Sequence, residues 1–366
     1  MIGRVVALDL SARHNVTSAD RDADALASVA DAGLGTRLLD VSDCEALVEA
    51  VLDFDLVVGA VPGSLGFRTL EAVIRAGRNV VDISFFPENA LELQELATEH
   101  GVVAIVDSGV APGLDNLILG HHDRTMDVRS FECLVGGLPK RRKWPFEYKA
   151  PFSPIDVIEE YTRPARYLEN GHEIVRPALS DPELVWFKEV GTLESFNTDG
   201  LRTLISTMPH IPNMKEKTLR YPGHSSLIRA LKEAGFFSEQ AIQIDGRDVR
   251  PVDVTSRILI DEWKLDPAEP EFTIMRVTVV GSEQGRDITY TYDLYDEFDS
   301  KTGFSSMART TGFTCTAMVN YLLDPGIADS GIYPLELVGR MVGGFGFTLK
   351  HLTNHGVSLK GRRSET

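Results

Sequence analysis

The first residues of interest are polar side chains that could carry a proton in a reaction. Asp82 and Ser84 follow a predicted buried strand, and open parallel sheets place their functional residues at the carboxyl ends of strands. His224 follows a Pro-Gly turn that could carry its imidazole into a cleft, where histidine is a common general base. Asp82 could instead stabilise a turn, and His224 could be an ordinary surface histidine. We predict catalytic roles for His224, Asp82 and Ser84.

The start of the chain has the pattern of a dinucleotide-binding fold. Such a fold opens with a strand, then G-x-G-x-x-G, then a helix whose first turn holds the pyrophosphate. Residues 3–10 fit that helix with Gly3 as the third glycine, and Asp20 ends the next predicted strand, where an acidic residue binds the adenosine ribose. Gly3 could also be an ordinary helix-start glycine and Asp20 a helix cap. Together with the strand–helix alternation described below, they favour a nucleotide site.

The cofactor predicted from these residues is NAD. Asp20 would repel the 2′-phosphate of NADP, whereas Arg21 could either stack on adenine or attract that phosphate. Asp40 and Val41 end the following strand and should flank adenine, while small residues around Pro62-Gly63 let the backbone approach a ribose or nicotinamide. Pro62-Gly63 alone would also fit a plain turn. The predicted cofactor contacts are Gly3, Arg4, Asp20, Arg21, Asp40, Val41, Ala60, Val61, Pro62, Gly63, Ile83 and Phe85.

The first strand and the first two glycines of this pattern are missing from the sequence, because only two residues precede Gly3. We therefore expect a parallel sheet that lacks its first strand. Such a sheet would leave backbone groups and apolar faces unpaired at its centre. We also expect a natural start about ten residues upstream, which would make Met1 an internal methionine.

Residues 14–107 alternate between short β-rich runs and helical stretches. Continuously apolar strands separated by helices indicate a parallel sheet that is covered on both faces. The predicted fold class is therefore α/β, a Rossmann-type doubly wound sheet. The predicted strands are 15–19, 36–39, 56–60, 79–83 and 102–106, and the predicted helices are 22–32, 43–53, 66–77 and 88–100.

Residues 130–300 have a different character. Two long strand-like runs, 272–280 and 286–294, are joined by a short connection of the kind found in hairpins. Few helical patterns separate the runs of this region, so we predict an antiparallel sheet in an α+β domain. Further along we predict helices over 309–323 and 334–343, folding back onto the first domain, and a frayed polar tail after residue 356.

Composition excludes several classes of protein. The 366 residues are 43% hydrophobic and 25% charged, which is too apolar for a disordered chain, and no apolar run approaches the ~18 residues of a membrane helix. The net charge of -17 makes nucleic acid and anionic membranes poor partners. Cys44, Cys133 and Cys315 form no close motif, which fits a reduced, cytoplasmic protein. We predict no metal site, because zinc motifs are absent and His121-His122 lacks a spaced third ligand.

Four stretches resemble the sequence motifs of one known family: Gly59-Ala60-Val61-Pro62-Gly63, Val81-Asp82-Ile83-Ser84-Phe85, Asp107-Ser108-Gly109-Val110-Ala111-Pro112-Gly113 and Thr218-Leu219-Arg220-Tyr221-Pro222-Gly223-His224. In these stretches the chain resembles the saccharopine dehydrogenase-like family and, within it, the lysine 6-dehydrogenases. The likeness runs from Gly3 to about residue 345. It implies an NAD-binding Rossmann domain (1–113), an inserted α+β substrate and dimerisation domain (114–305), C-terminal helices returning to the first domain (306–350), a polar tail (351–366), and a homodimer.

The resemblance also implies a reaction, the NAD-dependent oxidation of the ε-amine of L-lysine to allysine with release of ammonia. One departure supports this substrate: Ala111 stands where saccharopine dehydrogenases of the glutamate-forming kind typically have an acidic residue before Pro-Gly. Two alternatives remain. The first is a saccharopine dehydrogenase that uses NADP and forms glutamate, and the second is a catalytically silent dinucleotide-binding or interaction protein, which the missing glycine turn would favour.

An amino-acid substrate needs a base, a cation for its carboxylate and an anion for its α-ammonium, because hydride leaves only from a neutral amine. Arg202 and Arg220 could hold the carboxylate, since a guanidinium fork fits both of its oxygens. Asp199 could pair with the ammonium or cap the following helix, and either arginine could instead belong to an ion pair. The predicted substrate contacts are Arg202, Arg220, Asp199, Tyr161, Thr162 and Arg163.

Overall fold

A computed structural model describes residues 2–151, 154–266, 268–324 and 326–365. The chain divides into two compact units. Unit 1 comprises Met1–Asp127, Arg202–Met208 and Ala308–Ser358, and unit 2 comprises Val128–Leu201, Pro209–Met307 and Leu359–Thr366. Across the described ranges, no helix is both long and apolar enough to cross a membrane.

The helices and strands follow one another along the chain as expected for an α/β region followed by a strand-rich region. In chain order the helices are α1 (Ile2–Ser11), α2 (Ala23–Ala30), α3 (Cys44–Val51), α4 (Gly63–Arg75), α5 (Gln94–Glu99), α6 (Leu114–Asp123), α7 (Pro154–Thr162), α8 (Leu204–Thr207), α9 (His224–Glu233), α10 (Pro251–Trp263), α11 (Ser306–Leu323), α12 (Leu335–Arg340) and α13 (Gly344–Asn354). The strands are β1 (Thr17–Asp20), β2 (Gly35–Leu38), β3 (Leu56–Gly59), β4 (Asn79–Asp82), β5 (Val103–Val106), β6 (Asp127–Pro139), β7 (Ala165–Glu169), β8 (His172–Arg176), β9 (Glu183–Phe187), β10 (Gly191–Asn197), β11 (Asn213–Arg220), β12 (Ile242–Ile244), β13 (Arg247–Val249), β14 (Glu271–Glu283), β15 (Arg286–Glu297), β16 (Gly331–Pro334) and β17 (Leu359–Glu365).

Unit 1 has the predicted doubly wound architecture. Its strands β3, β4, β5 and β16 form a parallel sheet in the order β16-β5-β4-β3, and β1 pairs in parallel with β2. All four residues of β5 are buried, as expected for a strand covered on both faces. The Rossmann-type fold class and the five predicted strands of this region are confirmed.

The first two helices after β1, α2 and α3, begin at residues whose side chains satisfy free backbone N–H groups. Asp22 accepts hydrogen bonds from the backbone of Asp24 and Ala25 and so caps α2, and Asp43 caps α3 through the backbone N–H of Ala46. An aspartate after a strand therefore turns the chain directly into a helix. This local chemistry accounts for the first two strand-to-helix steps of the alternation that the sequence pattern predicts.

The sheet of unit 1 is in two pieces. Among the described residues, β1 pairs only with β2, and β3 pairs only with β4. A cavity of about 940 Å³ lies between the pieces and is lined by residues 16–20 on one side and 53–61 on the other. The strands of a doubly wound sheet lie in the order 3-2-1-4-5-6, so the first strand lies between the second and the fourth. In this chain β1 corresponds to the second of these strands and β3 to the fourth, so the cavity lies where the first strand would be. The arrangement is the one expected for a sheet without its first strand.

Unit 2 contains a large sheet in the order β17-β15-β14-β6-β11-β10-β9, with β7 and β8 attached at β11. The predicted hairpin is confirmed, because β14 and β15 pair antiparallel from Phe272 with Glu297 to Glu283 with Arg286. The sheet that was predicted to be antiparallel is mixed, because β6 and β11 pair in parallel. A parallel pair needs a long crossover connection, and the chain between β6 and β11 provides one that includes α7.

The tail of the chain also differs from its prediction. Residues 359–365 form β17, which pairs antiparallel with β15 at the edge of the sheet, so the expected frayed tail is wrong. The side chains of β17 are mostly exposed, and Arg362 lies 2.7 Å from the carboxylate of Asp293 on β15. Backbone pairing and ion pairs, rather than burial of apolar side chains, hold this polar edge strand.

Two helices that are distant in the chain pack closely in unit 1. A Cβ on Gly120 of α6 would collide with the backbone of Glu336 on α12, so only glycine permits this approach. Unit 1 therefore continues through α6 to Asp127, past the boundary expected at residue 113. It also holds α11 from Ala308 onward, together with α12 and α13. Helix α12 ends at Arg340, a few residues before the predicted end at 343.

Candidate functional site

Asp82 and Ser84 form a compact polar group at the carboxyl end of β4. The backbone N–H of Ser84 donates to one carboxylate oxygen of Asp82 over 2.8 Å, and its hydroxyl donates to the other over 3.2 Å. Asp82 is fully buried, and this burial raises the pKa of its carboxyl to about 7, helped by the negative charge of Asp107 and opposed by Ser84 and Arg202. A carboxyl of this kind can take up or release a proton near neutral pH.

Asp107 and Arg202 lie beside this group, and both belong to unit 1. The Nε atom of Arg202 lies 2.8 Å from a carboxylate oxygen of Asp107, as an ion pair rather than a well-directed hydrogen bond. The same guanidinium donates to the backbone carbonyl of Phe86 and lies over the rings of Phe85 and Phe86 at 5.1 and 5.0 Å. Both partners of the ion pair are buried, so Arg202 is a fixed cation beside Asp82.

Asp107 is a residue that the sequence analysis did not predict as part of the site. It directly follows β5, just as Asp82 ends the neighbouring β4. Parallel strands present functional residues at their carboxyl ends, and this rule, applied to both strands, would have identified Asp107.

A second feature of the site is Gly59, at the end of β3, where a Cβ would overlap the carboxylate of Asp82. The glycine is required because β3 and Asp82 approach each other so closely.

His224, Tyr161 and Arg220 form a second cluster, in the interior of unit 2. The Nδ1 atom of His224 lies 2.8 Å from the carbonyl of Phe146, and its Nε2 lies 2.9 Å from the hydroxyl of Tyr161. That hydroxyl oxygen also accepts from Nε of Arg220 over 2.9 Å. His224 is 3% exposed, and burial together with the charge of Arg220 lowers its pKa to about 3. A neutral, enclosed imidazole of this kind is a weak base at pH 7.

The guanidinium of Arg220 is already occupied. It pairs with the carboxylate of Glu160 over 3.1 Å, donates to the carbonyl of Leu219 over 2.9 Å and lies 4.4 Å from the ring centre of Tyr148. Although its own burial acts in the opposite direction, the neighbouring tyrosines and Glu160 raise the pKa of Arg220. These contacts bind the arginine into the interior of unit 2 as an ion pair, which is the alternative left open by the sequence.

The remaining predicted substrate contacts in unit 2 form hydrogen bonds or ion pairs with other residues of the same unit. Asp199 accepts three hydrogen bonds from Arg166, through its backbone N–H and two guanidinium nitrogens. Its alternative role as a cap is wrong, because Thr203 is the N-cap of the following helix. Thr162 ends α7 and donates to backbone carbonyls within that helix, and Arg163 forms an ion pair with Glu159 over 3.0 Å.

The predicted cofactor contacts lie in unit 1, and half of them share one cavity. Gly3 lies in the first turn of α1, where backbone N–H groups have no partner inside the helix, and Asp20 is exposed at the end of β1. These are the positions that a pyrophosphate and a ribose require, so the residues fit a dinucleotide. The predicted contacts that line the cavity between β1 and β3 are Gly3, Arg4, Asp20, Val41, Ala60 and Val61.

The other predicted cofactor contacts follow the carboxyl ends of strands β1 to β4. Arg21 is near Asp40, where hydrogen bonds from Ser42 lower the pKa of the carboxyl and the charge of Arg21 adds to the effect. Pro62 is the N-cap of α4 and Gly63 its first residue. Ile83 donates its backbone N–H to the carbonyl of Gly59 over 2.9 Å, and Phe85 contacts Arg202 as described.

Comparison with known proteins agrees with this architecture. Residues 1–105 match the family model described as the saccharopine dehydrogenase NADP binding domain, and residues 109–352 match the saccharopine dehydrogenase C-terminal domain. The solved structure of apo saccharopine dehydrogenase (L-Glu forming) from Saccharomyces cerevisiae aligns with a TM-score of 0.80 at 21% identity, covering 99% of this chain and 97% of that one. At this identity, the structural likeness establishes the fold.

Two curated relatives share more sequence over part of the chain. Saccharopine dehydrogenase [NADP(+), L-glutamate-forming] of Schizosaccharomyces pombe is 29% identical over 215 residues, which are 56% of this chain and 48% of the relative. The protein of the same name from Saccharomyces cerevisiae is 26% identical over 255 residues, 64% of this chain and 56% of the relative. The chain thus spans about half the length of the curated relatives it matches. By its match to both family models, the chain belongs to the saccharopine dehydrogenase family.

Proposed function

We propose that this chain is a dehydrogenase that oxidises the secondary amine of saccharopine with a nicotinamide dinucleotide and releases glutamate. The names of the relatives support this substrate over free lysine. The reaction removes a hydride from carbon and a proton from nitrogen to form an imine, and water then splits the imine into glutamate and an aldehyde. When bound, the nicotinamide supplies the acceptor for the hydride.

The observation that carries the proposal is the buried carboxyl of Asp82, whose pKa is raised to about 7. An amine can lose hydride only after its nitrogen has lost its proton, so the enzyme needs a group that accepts a proton near neutral pH. Asp82 lies at the carboxyl end of β4, the edge at which doubly wound sheets bind their ligands. We assign the acid–base role to Asp82, with Ser84 as its hydrogen-bonding partner, in preference to His224.

The charges around Asp82 set its proton affinity. Arg202 stabilises the ionised carboxylate, and Asp107 opposes it. Because Arg202 is itself paired with Asp107, the pair adds little net charge beside Asp82, and burial decides the pKa. We therefore propose Asp107 and Arg202 as positioning residues for Asp82.

Gly3 and Asp20 are the residues that would hold the dinucleotide, at its pyrophosphate and adenosine ribose respectively. Asp20 favours NAD, because its carboxylate would repel a 2′-phosphate. Arg21 and the names of the relatives favour NADP. The charges of Asp20 and Arg21 act in opposite directions on the preference for NAD or NADP. Substituting each residue separately therefore measures how much each charge contributes to that preference.

A second candidate function is lysine 6-dehydrogenase, which oxidises a primary amine to allysine and releases ammonia. The specific observation in its favour is Ala111, which stands where glutamate-forming saccharopine dehydrogenases typically have an acidic residue before Pro-Gly. The two reactions share the hydride transfer and differ in the second product, ammonia or glutamate.

The test is turnover of the purified chain with saccharopine or lysine, each with NAD and with NADP. We expect reduced cofactor and glutamate to appear with saccharopine, and a large loss of turnover in Asp82→Asn but not in the matched surface variant Asp31→Asn. Ammonia released from lysine without turnover of saccharopine would instead establish the second candidate. Absence of both turnover and dinucleotide binding would contradict both enzymes and favour a silent module.

A further inference from the structure

A cluster of two histidines and one aspartate lies in unit 1, outside the group around Asp82. Asp9 belongs to α1, His351 to the last turn of α13, and His355 directly follows α13. The Nε2 atom of His355 lies 2.6 Å from one carboxylate oxygen of Asp9, and the Nε2 atom of His351 lies 3.5 Å from the other. All three side chains are half-buried, and 342 or more positions separate either histidine from Asp9 in the sequence.

The hydrogen bonds of His355 determine what its Nε2 atom needs. Its Nδ1 lies 2.8 Å from the backbone carbonyl of His351, so Nδ1 must carry a hydrogen and donate. In the neutral ring, Nε2 then presents a lone pair toward the carboxylate oxygen of Asp9 at 2.6 Å. Two lone pairs at that distance repel each other unless a cation lies between them. The cation can be a proton or a metal ion.

The geometry of the two histidines suits a metal ion. Residues four apart lie on the same side of a helix, and the two rings are 4.4 Å apart at an angle of 34°. Ligand atoms bound to one tetrahedral zinc at ~2.0–2.1 Å lie roughly 3.4 Å apart, close to the 3.5 Å between His351 and Asp9. The 2.6 Å between His355 and Asp9 is a direct hydrogen-bond distance, so these two side chains must move apart by roughly 0.8 Å when a metal ion binds. The contact of His355 Nδ1 with a backbone carbonyl is also the usual outer contact of a metal-bound histidine, because it orients the ring.

We propose that Asp9, His351 and His355 form a binding site for a divalent transition metal such as Zn²⁺. Imidazole nitrogens and a carboxylate oxygen are the ligands that zinc prefers among side chains of this type. The hydroxyl of Thr316 lies 2.9 Å from Nε2 of His351, so a metal ion would have to displace this hydrogen bond, and the freed hydroxyl could then contact a water in the fourth position. The metal would join α1 to α13. This inference goes beyond the proposed function and does not depend on it.

The charges near the cluster favour a cation at this position. Asp9 turns one carboxylate oxygen toward each histidine, at 2.6 Å from Nε2 of His355 and 3.5 Å from Nε2 of His351. Arg13 carries a positive charge close to His355 and would repel a cation at this position. Replacement of Arg13 by an uncharged residue should therefore strengthen the binding of any cation here.

The experiment is calorimetric titration of Zn²⁺ into the metal-free full chain, purified without a histidine tag. We expect one strong site in the wild type, weakened roughly 100-fold or more in Asp9→Asn, His351→Ala and His355→Ala. The control His100→Ala removes an exposed histidine outside the cluster and should leave the affinity unchanged. Arg13→Gln should bind more tightly than the wild type.

A second measurement keeps the proposal testable if the ligand variants fold poorly. Co²⁺ added to the wild type should give a one-to-one visible absorption spectrum of a nitrogen- and oxygen-ligated ion, and Zn²⁺ should displace it. Unfolding of the wild type by heat should occur at a higher temperature with Zn²⁺ than without it. No Co²⁺ spectrum and no thermal shift, or equal zinc affinity in the wild type and a folded triple variant, would overturn the proposal and leave a shared proton as the cation between His355 and Asp9.

Discussion

Tyr161 donates its phenolic hydrogen to Nε2 of His224 across 2.9 Å, deep inside unit 2. The direction of this bond is fixed, because Nδ1 of His224 donates to the carbonyl of Phe146 and Nε2 must therefore accept. The oxygen of Tyr161 accepts in turn from Arg220. The three side chains form one directed chain of hydrogen bonds that ends on the main chain.

Removing the hydroxyl of Tyr161 should destabilise the protein without a specific loss of catalysis. Tyr161→Phe leaves the acceptor of His224 and the donor of Arg220 buried without a partner, which costs about 1–3 kcal/mol of unfolding free energy. Urea unfolding measures the change. The matched control is Tyr333→Phe, which removes a hydroxyl from an exposed hydrogen bond and should change little. Equal stability of the two variants would show that the buried chain contributes nothing.

Arg220→Ala should destabilise the protein more strongly. The substitution leaves Glu160 with 17% of its side chain exposed and no cation, and breaking a buried ion pair costs about 3–5 kcal/mol. The control is Arg286→Ala, whose ion pair with Glu365 is largely exposed and should contribute less than about 1 kcal/mol. An unchanged unfolding free energy combined with a raised KM for the amino-acid substrate would place Arg220 in the substrate site instead.

Asp82→Asn should separate stability from activity. The pKa of Asp82 is raised from 3.8 to about 7 in the folded protein, so the folded state holds this proton to a higher pH than the unfolded chain. The contribution of Asp82 to the free energy of unfolding therefore falls as the pH rises from about 4 to 7. Above that range the carboxyl is fully ionised in the folded protein, and the full destabilising effect of the buried charge is present. Asparagine carries no charge, so the variant should be more stable than the wild type at pH 8 by on the order of 1–4 kcal/mol.

The same variant should lose turnover by about 10²–10⁴-fold, the usual contribution of a general base. In the wild type, the rate of amine oxidation should rise with pH through the region near 7, as Asp82 loses its proton. Thermal unfolding and initial rates across a pH series measure both effects. A variant that is less stable at pH 8, or that keeps the wild-type pH profile, would contradict the assignment of Asp82.

Asp20 and Arg21 should set the choice of cofactor in opposite directions. Asp20→Ala removes a negative charge near the 2′ position and should raise the ratio of kcat/KM for NADP over that for NAD, whereas Arg21→Ala should lower it. A charge-assisted contact of about 1.5–3 kcal/mol corresponds to a change of roughly tenfold to hundredfold. Asp24→Ala, at a nearby exposed position on α2, is the control. An unchanged ratio in both variants would place the 2′ position elsewhere.

The parts of the fold that the sequence predicted are those coded by neighbouring residues. The run of β5 is apolar throughout, and aspartates such as Asp22 turn the chain into the next helix, so strands and helices of unit 1 can be read locally. Asp82 and Ser84 could be predicted for the same reason, since both follow a recognisable strand.

The parts that the sequence did not predict depend on residues far apart in the chain. Asp107 and Arg202 form an ion pair across 95 positions, and no periodicity records which cation a buried aspartate will meet. The parallel pairing of β6 with β11 likewise depends on the path of the chain between them. The polar strand β17 was missed because backbone pairing with β15, not an apolar face, determines it.

The division of the unit 1 sheet into two pieces affects which strands can open locally. Backbone amides of β1 and β3 that face the cavity have no neighbouring strand among the described residues, so they lack the hydrogen bonds that slow exchange with deuterium. The pair β1–β2 also has mostly exposed side chains, whereas β4 and β5 are buried. The small pair can therefore open without disturbing the larger sheet, and its amides should take up deuterium well before those of β4 and β5.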